Sequence, residues 1–319
     1  MNDFYPTVTV AITCFNAIQT IERAVKSARS QDWPALEILI ADDCSTDGSA
    51  DFVASLIADD RRARLVRRAT NGGAAATRNT LIEAATGEFV IFFDDDDESH
   101  PTRVARQVET LRALEASRPG LLVACYAGGE RLYPNGYIKP LAAIGSKGPP
   151  PHGYAVANYL LFYSRPKGFF FGAGTPTCAL MARRSVFEQV GGFDPTLRRV
   201  EDVDFAVRLA LAGGYFVGTR DSLFRQHATV GVDKSPEANR DAEVSLARKH
   251  KGYLTSIGRY HYAVRWPNLR YLHFKRRYAA FLVEFLQIVA RNPLAASRHI
   301  LHTGPRRLRH ELQMRKRQK

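Results

Sequence analysis

The chain has 319 residues, 45% of them apolar, and a formal net charge of +13, which gives it enough hydrophobic material for a full core and excludes a disordered polyelectrolyte. The charge is unevenly placed: residues 248–319 hold 18 Lys and Arg against only Glu284 and Glu311, a net +16, whereas residues 1–247 come to −3. Cys14, Cys44, Cys125 and Cys178 form no Cys-x-x-Cys pair, which argues against a zinc site or a disulfide framework and for buried thiols in a reducing cytosol. The first residues lack the basic and apolar regions of a secretory signal, and the apolar stretch 279–290 is too short and too polar to span a bilayer. A soluble or peripheral protein is expected.

In chain order, residues 7–13 read as a strand, after which Ile21, Val25 and Ala28 recur at helical spacing. Trp33-Pro34 ends that helix, residues 36–41 form a second strand, and the loop 42–48 opens another helix. A strand at 64–68, a loop at 71–73 and a helix over 74–85 follow, with Gly87 in the place of a left-handed closing residue. Residues 88–93 are a buried strand that stops in Asp94-Asp95-Asp96-Asp97. Three strand and helix alternations in about one hundred residues predict right-handed β-α-β units and a mainly parallel sheet flanked by helices, an α/β fold. Pro101 suits the first turn of a helix reaching Ser117. Beyond it the sequence predicts strands at 121–133 and 175–183, a Pro- and Gly-rich mobile loop over 134–153, and a helix from Glu201 to the glycines at 213–214. Loop 172–175, Gly-Ala-Gly-Thr, suits either backbone contact with a substrate or tight turning.

Four adjacent carboxylates at the carboxyl end of a buried strand repel one another unless a cation sits among them. Oxygen-only donors suit Mg²⁺ or Mn²⁺, and these suit a phosphate-bearing substrate. A solvated acidic loop is the plain alternative.

Taken in order, Thr13-Cys14-Phe15-Asn16, Asp42-Asp43-Cys44-Ser45-Thr46-Asp47, Arg78-Asn79, Phe93-Asp94-Asp95-Asp96-Asp97 with Pro101, Gly191-Gly192-Phe193-Asp194 and Glu201-Asp202-Val203-Asp204 resemble a family 2 glycosyltransferase of the GT-A fold. The resemblance covers about residues 7–230. It implies transfer of a sugar from a nucleoside diphosphate donor to an acceptor hydroxyl, with inversion. Matched to the family's Asp-x-Asp motif, Asp96 is the metal ligand and Asp94 lies nearer the ribose or the metal's waters; Asp95 can share either role, and Asp97 can orient the acceptor. Thr13 and Asp43, with Asp42 as the rival and Asn16 in the same set, match nucleotide-holding positions. A carboxylate there accepts the imide N–H of uracil, which favours UDP, though thymidine is identical at that edge. Arg78 matches a phosphate-contacting position and His227 a late histidine that joins the metal or diphosphate. The resemblance makes Asp202 the base that takes the acceptor's proton, with Glu201 as runner-up; acids at a helix start also serve the helix dipole alone.

By this reading residues 1–240 form the catalytic domain, with a nucleotide-binding half (1–117) and an acceptor-binding half (118–240), and 241–319 form a helical, basic extension. In that extension Tyr271, Phe274, Tyr278, Phe281, Phe285 and Ile288 mark one amphipathic helix, a second starts at Asn292-Pro293 and ends at Gly304-Pro305, and a third basic segment follows. The extension either packs on the catalytic domain, docks on an anionic membrane surface, or both. No nucleic-acid motif accompanies its charge. A glycan or lipid-linked glycan acceptor for surface polysaccharide, on the cytoplasmic side, follows from class and charge; a nonenzymatic nucleotide- or polyanion-binding protein is the alternative of a different class.

Overall fold

The computed structural model describes residues 5–228 and 235–316, with side chains through residue 305. Its first half alternates β1 (Val8–Cys14), α1 (Ile21–Arg29), β2 (Leu36–Asp42), α2 (Ser49–Leu56), β3 (Ala63–Arg67), α3 (Gly73–Ala84) and β4 (Phe89–Phe93). The order β3-β2-β1-β4 is parallel throughout, as the alternation predicts. β4 is buried on both faces and divides its side chains between two cores. Val90 and Phe92 join a cluster that includes Leu81 of α3, while Phe89, Ile91 and Phe93 join one that includes Ile21 of α1 and Val53 of α2. Pairing of Cys14 with Asp42 and of Ile12 with Phe93 aligns the carboxyl ends of these strands, so their loops open on one edge.

The chain continues with β5 (Glu98–Ser99), α4 (Arg103–Ser117), β6 (Val123–Leu132), β7 (Ile138–Leu141), α5 (Gly153–Phe162), a 3₁₀ turn (Thr177–Ala179), β8 (Leu180–Arg183), α6 (Arg184–Val190), α7 (Glu201–Leu211) and β9 (Tyr215–His227). β8 joins β4 to β6 with antiparallel pairing, and β9 lies parallel to β6, so the second half of the sheet is mixed. The helices α8 (Pro236–Lys249), α9 (Lys251–Ser256), α10 (Tyr260–Phe274), α11 (Tyr278–Arg291) and α12 (Pro293–Lys316) complete the chain. Residue 240 lies inside α8, and α8 and α5 both pack against α10.

Several local expectations are corrected. Gly87 is not left-handed; a Cβ there would lie 2.6 Å from Thr9 Oγ1 and 2.7 Å from the Thr9 nitrogen, so close approach of the chain to β1 is what requires glycine. The 134–153 segment is no loose loop. β7 pairs antiparallel with β6, and Ala143 and Ile144 are buried in the core. In loop 172–175 a Cβ on Gly172 would meet the Ala142 carbonyl at 2.2 Å, and the Ala173 amide is spent on that same carbonyl, which answers for tight packing. α5 was not anticipated. The aromatic series 271–288 is two helices, because Arg276 adopts φ +56° between α10 and α11, and α12 runs through Gly304-Pro305 rather than ending there.

Candidate active site

The loops after β1 and β2 are clipped together by short polar side chains. Asn16 Oδ1 accepts from the Thr46 amide at 2.9 Å, and the Asn16 and Ala17 amides donate to Ser45 Oγ and Ser49 Oγ. Asn16 therefore builds the rim and does not line the main cavity. Asp42 is buried, with one oxygen accepting from the Ser45 amide at 3.0 Å and Oδ1 without a partner. Asp43 is committed at the start of α3: Oδ1 accepts from Arg68 and from the Gly72 amide (3.0 Å), and Oδ2 from the Gly73 amide (2.7 Å). Oδ2 thus keeps one acceptor direction.

A cavity of about 670 Å³ opens at the carboxyl ends of these strands, and Thr13, Asp43, Arg78, Asp94, Asp95 and Asp96 all line it. Arg198 and Arg199, from the segment before α7, close its far side; the sequence reading missed both, since arginines outside any motif look like solvated surface.

The acids crowd at the end of β4. Asp95 Oδ2 accepts from the Phe15 amide at 3.1 Å, and Asp97 Oδ1 from the His227 amide at 3.2 Å, leaving Asp97 Oδ2 buried and unpartnered. Arg78 Nη2 stands 3.7 Å from Asp94 Oδ1. Burial first, and repulsion between neighbouring carboxylates second, push Asp97 up to about 8. Burial likewise lifts Asp95 to about 7, and it raises Asp94 despite the opposing pull of Arg78. An orphaned carboxylate oxygen among hard oxygen donors fits a divalent cation of the Mg²⁺ or Mn²⁺ kind. Cys178 lies within 4.8 Å of Asp94 and Asp97, but burial holds its thiol far above its ordinary range, so it offers such an ion little. His227 reaches this cluster through its backbone amide alone; its Nε2 sits 3.2 Å from Glu98 Oε1, and the ring does not line the cavity.

Beneath the acids lies Arg103, fully buried and also absent from the sequence reading. It donates to the carbonyls of Phe92 (3.0 Å) and Cys178 (2.6 Å), to Ser99 Oγ and to Gln107, and its guanidinium lies over the Phe93 ring. These bonds fix the end of β4 against the turn before β8, and so fix the direction in which the aspartates leave the strand.

The second acidic centre begins where Val200, at φ +60°, turns the chain into α7. Glu201 Oε1 accepts from Arg78 Nη1 at 2.5 Å, so one guanidinium links the donor-side acids to the start of α7. Asp202 Oδ1 accepts only from the Val203 amide, at 2.8 Å; burial and then the Glu201 charge push its carboxyl up to about 6. The Tyr126 hydroxyl, buried and unpartnered, is pushed upward by burial and by the Asp202 charge. Neither Glu201 nor Asp202 lines the 670 Å³ cavity; they meet it through Arg78.

Two motif residues turn out to be structural. Asn79 exchanges hydrogen bonds of 2.8 Å with both the amide and the carbonyl of Phe193, and a Cβ on Gly192 would lie 2.7 Å from Asn79 Oδ1, which accounts for the Gly-Gly-Phe-Asp turn. Asp204 is wholly buried and accepts from Arg208 (2.8 Å), Lys249 (2.9 Å) and His250 (2.9 Å). Burial works against its charge, but these three partners hold its carboxyl well below the usual range, tying α7 to the end of α8.

The family model for glycosyl transferase family 2 matches residues 9–191, more than half of the chain. Among curated proteins, the succinoglycan biosynthesis protein ExoO of Rhizobium meliloti is 38% identical over 64 residues, which is 20% of this chain and 18% of ExoO. A GalNAc(5)-diNAcBac-PP-undecaprenol beta-1,3-glucosyltransferase of Campylobacter jejuni is 37% identical over 59 residues, 18% of this chain and 19% of that protein. These alignments span about a fifth of each relative. Among solved structures, S. aureus TarS 1-349 in complex with UDP superposes with a TM-score of 0.60 at 19% identity, over 85% of this chain and 73% of TarS 1-349. The mannosyltransferase PcManGT of Pyrobaculum calidifontis, in complex with GDP-Man and Mn2+, does so with a TM-score of 0.55 at 18% identity, over 95% and 80%. These likenesses establish the fold as GT-A, and with the family match spanning more than half of the chain, including Thr13, Asp43, Arg78 and Asp94–Asp96 of the cavity, the chain belongs to glycosyl transferase family 2.

Proposed function

We propose that the protein is a metal-dependent, inverting glycosyltransferase that moves a sugar from a UDP-sugar to an acceptor hydroxyl. The observation that supports this best is the shared cavity, in which Thr13 and Asp43 stand with the crowded aspartates after β4. The remaining acceptor direction of Asp43 Oδ2 takes the imide N–H of uracil, while Arg78 and Arg198 face the diphosphate. Asp96 and Asp94, with Asp95 beside them, hold Mn²⁺ or Mg²⁺. An ion held there would supply positive charge against the charge that builds on the departing diphosphate. His227 stays outside this ligand set, because its ring is engaged with Glu98.

Glu201 is already spent on Arg78, so it positions that guanidinium, and Asp202, whose Oδ1 accepts from the Val203 amide, removes the acceptor's proton as the hydroxyl attacks. Attack on the face opposite the leaving diphosphate inverts the anomeric carbon in one displacement. For the acceptor we favour a glycan or lipid-linked glycan of surface polysaccharide synthesis, supported by the names of the relatives above. Such an acceptor brings a peripheral enzyme to the cytoplasmic face of a membrane.

A panel of nucleotide sugars tests the donor. With Mn²⁺ or Mg²⁺, one UDP-sugar should release UDP well above the rest, and a chelator should abolish that release; release that ignores the chelator would overturn the metal assignment.

A further inference from the structure

α11 is an inverted surface helix. Its inner side is Phe281, Phe285 and Ile288 with Glu284, which is buried and paired to Arg265 at 2.7 Å. Its outer side is where charged residues belong on a solvated helix. Instead it presents Ala279, Leu282, Val283, Leu286 and Ala290, all exposed, with Gln287 as the polar exception. Leu282, Val283 and Leu286 are 55–57% exposed, and Tyr278 at the start of the helix is 60% exposed. On α12, Leu294 and Leu301, seven residues apart and so on one helical face, are each 72% exposed. A contiguous apolar face of this kind marks an interaction surface.

Charge identifies what covers it. The cations sit at the ends of the apolar face: Arg276 and Arg277 immediately before α11, Arg291 at its last residue and Arg298 on α12, all exposed. From residue 248 to 305 the sole acid is Glu284, and it is buried. An apolar helix face flanked at both ends by exposed guanidiniums, with the nearest acids Glu237 and Glu243 already paired to Lys275 and Arg270, matches the boundary between acyl chains and anionic headgroups. A second copy of this chain would bring the same cations against themselves in a two-fold contact. Nucleic acid would need the cations within the face, where there are none. No helix among the described residues is long and apolar enough to cross a membrane, so the contact lies in the interface plane.

We propose that the outer face of α11 inserts into the surface of an anionic bilayer, with Arg276, Arg277, Arg291 and Arg298 binding the headgroups around it. This differs from docking by basic residues alone, since the apolar side chains enter the lipid. The inference is independent of the sugar chemistry, because none of these residues lines the donor cavity.

The test is co-sedimentation of the full chain with vesicles of equal parts phosphatidylcholine and phosphatidylglycerol, beside vesicles of phosphatidylcholine alone. The wild type should bind the anionic vesicles much more tightly than the neutral ones. Leu282→Asp with Leu286→Asp should weaken that binding by at least about tenfold. Arg277→Gln and Arg291→Gln should each weaken it about fivefold, with the effect shrinking as salt is added. All variants should keep the wild-type melting temperature and UDP affinity, which shows that the fold and donor site are intact. Absence of wild-type binding to anionic vesicles, or a folded Leu282→Asp/Leu286→Asp protein that binds them as the wild type does, would overturn the proposal. So would a wild-type dimer in solution that the leucine variant converts to monomer without any vesicle binding.

Discussion

Asp202→Asn is expected to slow sugar transfer by about 10³-fold while UDP affinity stays unchanged. The two acids that open α7 are not equivalent. Glu201 is tied to Arg78, and through it to Asp94, so its substitution disturbs donor contacts and chemistry together. Asp202 Oδ1 accepts from the Val203 amide, and its carboxamide isostere keeps that bond while losing the capacity to take a proton. The effect should therefore fall on kcat. The pH dependence carries its sign: a carboxyl pushed up to about 6 is protonated, and useless as a base, below that value, so the wild-type rate should fall as pH drops through about 6. Asp202→Asn should lose this acidic limb along with the activity. A fully active Asp202→Asn enzyme would remove Asp202 from the mechanism.

Asp96→Ala is expected to cost on the order of 10²- to 10³-fold in transfer, and added Mn²⁺ should not restore it. Asp94 faces Arg78, Asp95 accepts from the Phe15 amide and Asp97 from the His227 amide, and the charge of Asp96 bears on all three. These contacts leave a cluster whose charge is still excessive for its burial, as the upward shifts of Asp95 and Asp97 record. Removing one ligand weakens metal binding and stabilisation of the leaving diphosphate at once. The comparison that separates this from a folding defect is melting temperature, which should hold or rise, because a buried like-charge repulsion is relieved. Chelator-sensitive turnover at the wild-type rate in Asp96→Ala would place the metal elsewhere.

The parallel half of the sheet was legible because β4, buried on both faces, reads as an unbroken apolar run, and because β1, β2 and β3 are short runs rich in β-formers each followed by a helix, α1 strongly amphipathic. The cavity was legible for a related reason: Thr13, Asp43 and Asp94–Asp96 sit at or just beyond the carboxyl ends of strands whose order the sequence states, and Arg78 lies on the helix between two of them. What escaped notice depends on tertiary contacts. Arg103 looks like any exposed helix arginine until the carbonyls of Phe92 and Cys178 converge on it. Gly87 looks like a helix terminator, yet its reason is the neighbouring Thr9 backbone. The break between α10 and α11 rests on Arg276 in a left-handed conformation, with no glycine or proline to announce it. The same periodic series that suggested one helix concealed the apolar outer face of α11, since Leu282, Val283 and Leu286 fall outside the aromatic stripe.

Isothermal titration of the wild-type protein with UDP, in the presence of Mn²⁺ and again after the ion is chelated, puts the joined aspartate and nucleotide cavity to its most direct test. Saturable one-site binding with Mn²⁺ that collapses without it is the predicted result. Heat of binding absent for both uridine and thymidine diphosphates with Mn²⁺ present, or equal with and without the ion, would contradict it.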